Sequence, residues 1–223
     1  MQVETLLSNL TTTSFKNCDE QEVASYAEAM DLVFQVYDDL YITENHIRQL
    51  HNILLRHSHK DERHRSEYKT LPNHVVARDE TGREIGIVFE TAAPFGTPRE
   101  MEELVGCARK VIYEAAMPPL LVIAIFAVAF IAIHPFQDGN GRLSRILMLL
   151  ILLRAGYDYV QYDSLESIIY KSNDIYYKVL RRTQTTLKEE TPDWEPWLGF
   201  FLRCLKRQKK QSGDKSCKRK GGD

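Results

Sequence analysis

His134-Pro135-Phe136-Gln137-Asp138-Gly139-Asn140-Gly141-Arg142-Leu143-Ser144-Arg145 is the stretch on which the reading of this chain turns. Two glycines flank an asparagine just ahead of the apolar run 147–153, a pattern that predicts a loop handing over to a helix N-terminus. Such a terminus carries amides without intrahelical acceptors and a partial positive charge, so Gly139, Asn140 and Gly141 form a candidate phosphate cradle. Arg142 and Arg145 are spaced to share one face of that helix, where they can clamp the distal phosphates of a nucleotide. Asp138, just before the cradle, offers the hard carboxylate oxygen that Mg2+ prefers on those same phosphates. His134 supplies an imidazole that, when neutral, takes a proton from an attacking hydroxyl near pH 7. Together these groups describe phosphoryl or nucleotidyl transfer.

Each feature alone has a commoner meaning: a turn, a buried histidine, a solvated helix face. The signal is their conjunction, in the order that a phosphate site at a helix start requires. A transition-metal pair of His134 and Asp138 fits worse, because Pro135 and Gly139 interrupt the helix that would align them.

Working outward, residues 120–133 are apolar throughout but shorter than the ~20 residues needed to span a bilayer, so they predict a buried central helix that leads into His134. Pro118-Pro119 opens it, and Gly156 is placed to end the motif helix in a left-handed conformation. Upstream, Asp19 with Glu22 predicts a helix start, followed at helical spacing by Val23, Tyr26, Ala27, Met30 and Phe34. A second helix after Thr43 buries Ile47, Leu50 and Leu54. Residues 71–77 and 84–89 are β-prone and joined by Asp79-Glu80-Thr81-Gly82, a hairpin pattern. Thr97-Pro98-Arg99-Glu100 combines a capping threonine, an early proline and a capping-box glutamate, predicting a helix to about Glu114. Further helices are expected over 164–187 and 193–209.

The motif resembles that of the Fic family, His-x-Phe-x-Asp/Glu-Gly-Asn-Gly-Arg-x-x-Arg, with His134, Phe136, Asp138, Gly139, Asn140, Gly141, Arg142 and Arg145 at every defined position. The resemblance extends over roughly 19–208, where the flanking stretches look like the family's bacterial members. It implies an all-α fold, a helical bundle carrying one small β-hairpin flap. It also implies transfer of AMP from ATP to a Ser, Thr or Tyr hydroxyl of a protein target, with His134 as base, Asp138 on Mg2+ and the cradle and arginines on the phosphates. Asn140 is expected to reach them with its side-chain amide as well, and Phe136 to pack the loop. Doc-type kinases alter the Gly-Asn-Gly stretch, which is intact here, favouring nucleotidyl transfer over phosphorylation. By the same resemblance Leu71 and Pro72 belong to a flap that holds the target in extended form, and Tyr176 and Tyr177 lie near the nucleotide base.

Many Fic proteins are inhibited by a helix bearing Ser/Thr-x-x-x-Glu-Gly/Asn. Here the one Glu followed by Gly or Asn is Glu44, and Leu40 stands where Ser or Thr is required. The expectation is therefore an inhibitory segment missing from a truncated chain, or an inhibitory partner, and an active enzyme that modifies itself or associates with its own copies. Donors other than ATP (UTP, GTP, a phosphocholine donor) remain open, because the cradle reads phosphates rather than a base. So does a nucleotide-sensing regulator, with nucleic acid as a partner only through a missing C-terminal domain.

Length and composition allow one domain. With 223 residues and 43% hydrophobic content the chain can build a sizeable core, and a net charge of -2 gives no bulk attraction to nucleic acid or membrane. Four cysteines, Cys18, Cys107, Cys204 and Cys217, are widely spaced and define neither a zinc site nor a disulfide framework; with no N-terminal signal pattern, a cytoplasmic location is expected. The expected organisation is an N-terminal helical segment over 1–40, a catalytic domain over 41–208 and a disordered basic tail over 209–223.

Overall fold

The computed structural model describes residues 18–58, 62–78, 83–162, 164–187 and 189–220. Among these it has eight α-helices: α1 (Cys18–Val36), α2 (Glu44–Leu54), α3 (Thr97–Tyr113), α4 (Pro119–Ile133), α5 (Asn140–Arg154), α6 (Leu165–Tyr170), α7 (Asn173–Thr186) and α8 (Glu195–Lys220). Strands β1 (Val75–Arg78) and β2 (Glu84–Phe89) pair antiparallel. The expected turn between them, 79–82, lies outside the described residues.

The centre of the fold is the pair α4 and α5. α4 has almost no polar face, because α3, α5, α7 and α8 all pack on it, and α5 is covered in turn by α1 and α2. Ile123, Val128, Phe130, Leu143, Ile146, Leu147, Leu150 and Leu152 are fully buried, each contributing ~1.5–3 kcal/mol through removal from water. Trp197 of α8 donates its indole N–H to the Ala124 carbonyl at 2.8 Å, satisfying the one polar atom that its burial would otherwise strand. The connection between α4 and α5 is the motif loop, so the best-packed part of the molecule carries the candidate chemistry at one of its ends.

Several local expectations hold. Thr43 caps α2 by accepting from His46 N at 3.1 Å, and Ile47, Leu50, His51 and Leu54 form its buried stripe. Gly156 is left-handed at φ 80 and ends α5 in a Schellman pair, Gly156 N to Leu153 O and Tyr157 N to Leu152 O.

Others are corrected. On α1 the fully buried face is Ala24, Ser25, Ala29 and Val33, with Tyr26, Met30 and Phe34 at its margins; small side chains let α1 approach α2 and α5, which a search for large apolar residues overlooks. Thr97 sits inside the first turn of α3 and donates its hydroxyl back to Ala93 O instead of capping. β1 begins at Val75, and residues 71–74 are irregular because polar groups of that segment are spent on the motif loop. The single helix expected over 164–187 is two, interrupted at Lys171 and Ser172, the latter a residue type that competes for backbone hydrogen bonds. α8 runs beyond Lys209, and the backbone of the basic tail is helical to Lys220. Lys, Arg and Gln propagate a helix well once packing has started it, and Gln208 and Ser212 are buried, with bonds to Val160 O and Tyr159 O.

Candidate active site

His134 is the C-cap of α4 and is left-handed, φ 53 and ψ 59, a conformation that costs a non-glycine residue ~1–2 kcal/mol. The strain is held by a run of bonds to the motif backbone. Lys69 Nζ donates to Ile133 O at 2.9 Å, Asn73 Nδ2 to His134 O at 3.3 Å, Lys69 N to Pro135 O at 2.8 Å, and Asn73 Nδ2 to Phe136 O at 2.5 Å. Tyr68 and Phe136 form an antiparallel bridge at the start of this contact. The segment that leads into β1 therefore lies along the motif loop, and it carries exposed Leu71 and Pro72 with it.

The His134 ring has its Nδ1 3.3 Å from Ile131 O, which fixes the proton on Nδ1 and leaves the lone pair on Nε2. Burial, assisted by the Lys69 charge, pushes its pKa down to about 4, while the Ile131 carbonyl and Asp138 act the other way. At neutral pH the imidazole is uncharged and Nε2 can accept a proton.

The loop is gripped from its other side by α2. Ser66 N donates to His51 Nδ1 at 3.0 Å, so His51 carries its proton on Nε2 and donates it to Asp138 O at 3.1 Å. The same ring stacks on Phe136, 3.8 Å between centroids and 12° from parallel. Phe136 is fully buried, in agreement with its expected packing role. Gly139 is left-handed at φ 79 and lies against Leu54, Leu55 and His51, so it turns the chain sharply into α5.

The first intrahelical bond of α5 is Leu143 N to Gly139 O at 2.9 Å. The amides of Asn140, Gly141 and Arg142 precede the ladder, which is the arrangement an anion needs. Gly139 N donates to Asp138 Oδ1 at 2.6 Å, so it braces the carboxylate rather than the cradle. The Asn140 side chain is also corrected: it is buried, accepts from Phe136 N at 2.9 Å and donates to Phe136 O at 2.6 Å, holding the loop closed instead of reaching outward.

Both motif arginines are anchored by carboxylates from distant elements. Arg142 pairs with Glu22 of α1 at 2.9 Å and lies 3.9 Å from Asp138. Arg145 engages Glu166 of α6 through Nε, and Tyr26 of α1 donates to the same Glu166 oxygen at 3.3 Å. Tyr176 is buried among Trp197 and Phe200 with its hydroxyl toward Arg145, so its ring has no face for a base; Tyr177 is the exposed member of the pair. Glu44, the one Glu followed by Asn, accepts from Tyr68 OH at 2.5 Å. Lys69, Asn73, His51, Glu22 and Glu166 escape a motif search, since His51, Glu22 and Glu166 read as solvated helix positions and Lys69 and Asn73 as polar residues of an irregular segment.

Among the described residues no three His, Cys, Asp or Glu side chains gather as a metal cage. Asp138, partly exposed, braced by Gly139 N and beside the α5 terminus, suits an ion such as Mg2+ that takes one carboxylate from the protein and its other ligands from phosphate and water. A cavity of about 1000 Å³ lies at the far end of the α4 and α5 pair, between Ile112, Pro119, Ile151 and Arg154, and includes no motif residue. The donor geometry, rather than cavity size, marks the candidate site. No helix among the described residues is long and apolar enough to cross a membrane, and Cys107 and Cys204 are unpaired thiols.

Known proteins are similar to this chain in sequence and fold. The chain is 51% identical over 92 residues to a protein adenylyltransferase Fic of Culex quinquefasciatus, covering 41% of this chain and 16% of that protein. It is 34% identical over 89 residues to a protein of the same name from Nematostella vectensis, covering 40% and 18% respectively. The chain thus matches less than a fifth of the length of these curated relatives. Among solved structures, a Fic domain containing signaling protein from Bacteroides thetaiotaomicron superposes with a TM-score of 0.72 at 27% identity, covering 95% of this chain and 78% of that one. A Fic family protein from Desulfovibrio desulfuricans gives 0.74 at 22% identity, covering 96% and 59%, and shows the shared fold. Residues 41–152 match the Fic/DOC family, and the chain belongs to that family.

Proposed function

We propose that this protein is a protein adenylyltransferase, moving AMP from ATP to the hydroxyl of a Ser, Thr or Tyr on a protein target, itself included. The observation that carries the reading is the neutral His134, its proton committed to Ile131 O and its Nε2 lone pair available, at the start of the loop that ends in the amides of Asn140, Gly141 and Arg142.

In this reading the target oxygen attacks the α-phosphorus and its proton passes to His134 Nε2. The bond from the α-phosphorus to the bridging oxygen breaks, and pyrophosphate leaves. Charge on the phosphate oxygens is met by the α5 amides, which need no reorganisation because His51 and Asn140 hold the loop before substrate arrives. Arg142 and Arg145 hold the β- and γ-phosphates, oriented by Glu22 and Glu166. Mg2+ at Asp138 would supply neutralising charge on the phosphates. Leu71 and Pro72, exposed on the segment tied to His134, would hold the target chain. Tyr177 is the better candidate of the tyrosine pair for the base.

The test is mass spectrometry of the full chain incubated with Mg2+ and each of ATP, UTP and GTP, alone and with a cell lysate. An AMP adduct present in wild type and lost in His134→Ala is the expected result. A UMP or GMP adduct would replace the donor, and no adduct from any triphosphate would overturn the reading.

A further inference from the structure

Lys69 is 4% exposed, although lysine is rarely buried unless paired. Its ammonium donates to three acceptors: Ile133 O at 2.9 Å, Asn73 Oδ1 at 2.9 Å and Thr91 Oγ1 at 3.0 Å. None of the three is a carboxylate. A buried ammonium satisfied only by neutral groups carries a desolvation cost that an apolar side chain of similar length would not.

The acceptors come from three places: the last turn of α4, the segment leading into β1, and the chain just after β2. Thr91 Oγ1 also donates to Asn73 Oδ1 at 3.2 Å, which turns the Asn73 amide toward the carbonyls of His134 and Phe136. Lys69 and Asn73 together thus hold the carbonyls of Ile133, His134, Pro135 and Phe136, the four residues around the left-handed backbone of His134.

From this geometry we infer that Lys69 is a positioning residue for His134: its ammonium clasps the end of α4 and fixes, in one network, the imidazole and the neighbouring segment that carries Leu71 and Pro72. It rests on the reading of His134 as the base. A second effect follows from charge. The ammonium faces His134, where Asp138 is the opposing charge, and faces Glu100 of α3 on its own account. It therefore favours the neutral imidazole. Burial in turn lowers the Lys69 pKa to about 8, with Glu100 acting in the opposite direction. Neutral lysine has two donors where three are used, so the clasp loosens as pH rises through that value.

The test compares wild type, Lys69→Met, Lys69→Arg and Thr91→Val as full chains. NMR titration follows the His134 ring and the Lys69 ε-carbon, and transfer rates are read against pH. Lys69→Met is expected to move the His134 midpoint upward, with burial still holding it below the ordinary histidine value, and to lower kcat about 100-fold, the cost of a misplaced reacting group, with little change in KM for ATP. Lys69→Arg keeps the charge and is expected to keep the low His134 midpoint while losing the loss of rate near pH 8. Thr91→Val removes one acceptor and is expected to move the Lys69 midpoint down, which carries the test if Lys69→Met does not fold. An unmoved His134 midpoint in folded Lys69→Met, or an unmoved Lys69 midpoint in Thr91→Val, overturns the inference. Expected NMR shifts in a wild-type chain that transfers nothing would leave Lys69 as the clasp of His134 and reject the transferase reading instead.

Discussion

Asn140 separates two accounts of the motif. If its amide reaches phosphate, removing it weakens nucleotide binding and leaves the empty protein as stable as before. The structure has it between Phe136 N and Phe136 O, at 2.9 and 2.6 Å, in a site where both residues are buried. Asn140→Ala would leave the Phe136 N–H without an acceptor, a cost of ~1–3 kcal/mol. The carbonyl keeps Asn73 Nδ2 and loses only one of two donors, ~0.5–1.5 kcal/mol. The sum, about 1.5–4.5 kcal/mol, lowers Tm by roughly 3–18 °C for a chain of this size. Asn140→Asp adds a sign that can be checked. Its carboxylate can accept from Phe136 N but turns an oxygen toward Phe136 O, and only the protonated acid restores the donor. That variant should gain stability relative to wild type as pH falls toward ~4, where a carboxyl takes up its proton. Thermal unfolding of the empty proteins across pH, with calorimetric titration of ATP into each, measures both quantities. An unchanged Tm with impaired ATP binding would refute the closed-loop account.

His134→Gln should abolish transfer while ATP affinity stays within a few fold, and equal losses of both would reject the base assignment. The same variant removes a pH dependence of stability. The folded pKa of about 4 lies below the unfolded value near 6.5, so between these limits the unfolded chain binds more protons, and His134 destabilises the fold as pH falls; wild type should lose up to ~3 kcal/mol relative to His134→Gln in a denaturant series from pH 7 to 4. Asp138→Ala should flatten the dependence of rate on Mg2+ concentration, and an unchanged metal titration would argue against its role. Glu166→Ala should raise KM for ATP by about tenfold, since Arg145 loses a charge-assisted bond at Nε that orients its remaining nitrogens; a faster enzyme would show instead that Glu166 competes with the phosphates.

The motif could be read from the sequence because its chemistry is local. A glycine that must turn left-handed, amides ahead of a helix ladder, and a histidine closing the preceding helix all follow from residues that are neighbours in the chain. The central helix was equally legible, since α4 has no polar face to mislead. Less legible were the phase of α1 and α7 and the side-chain bonds between residues distant in the chain. Tyr176 and Tyr177 look interchangeable as a pair, yet Tyr176 shares its buried phase with Leu180 and Thr183 while Tyr177 is rotated outward, a signal that phase counting over α7 contains. Asn140 belongs to a phosphate motif, but its amide is the nearest group able to satisfy Phe136, and that competition is visible only once the loop closes. The basic end of α8 reads as disordered by its charge, although its residues are good helix formers continuing a helix that packing has already nucleated.

The residues missed share a second property, and it bears on how such a site is tuned. The cradle lies within the family match of 41–152, as do His51, Lys69 and Asn73, which hold it in shape. Glu22 and Glu166 lie outside that stretch, one on each side, and they anchor Arg142 and Arg145. His134 and the α5 amides are thus held by bonds from within the matched segment, whereas the two arginines are aimed by α1 and α6. Because Arg145 is pinned through Nε and keeps its other nitrogens for a ligand, a shift of α6 would change where they point without moving His134. In the proposed transfer reaction α1 and α6 would thus set where the distal phosphates are held while the matched segment sets the base, and the Tyr26 to Glu166 bond joins α1 to α6 beside Arg145.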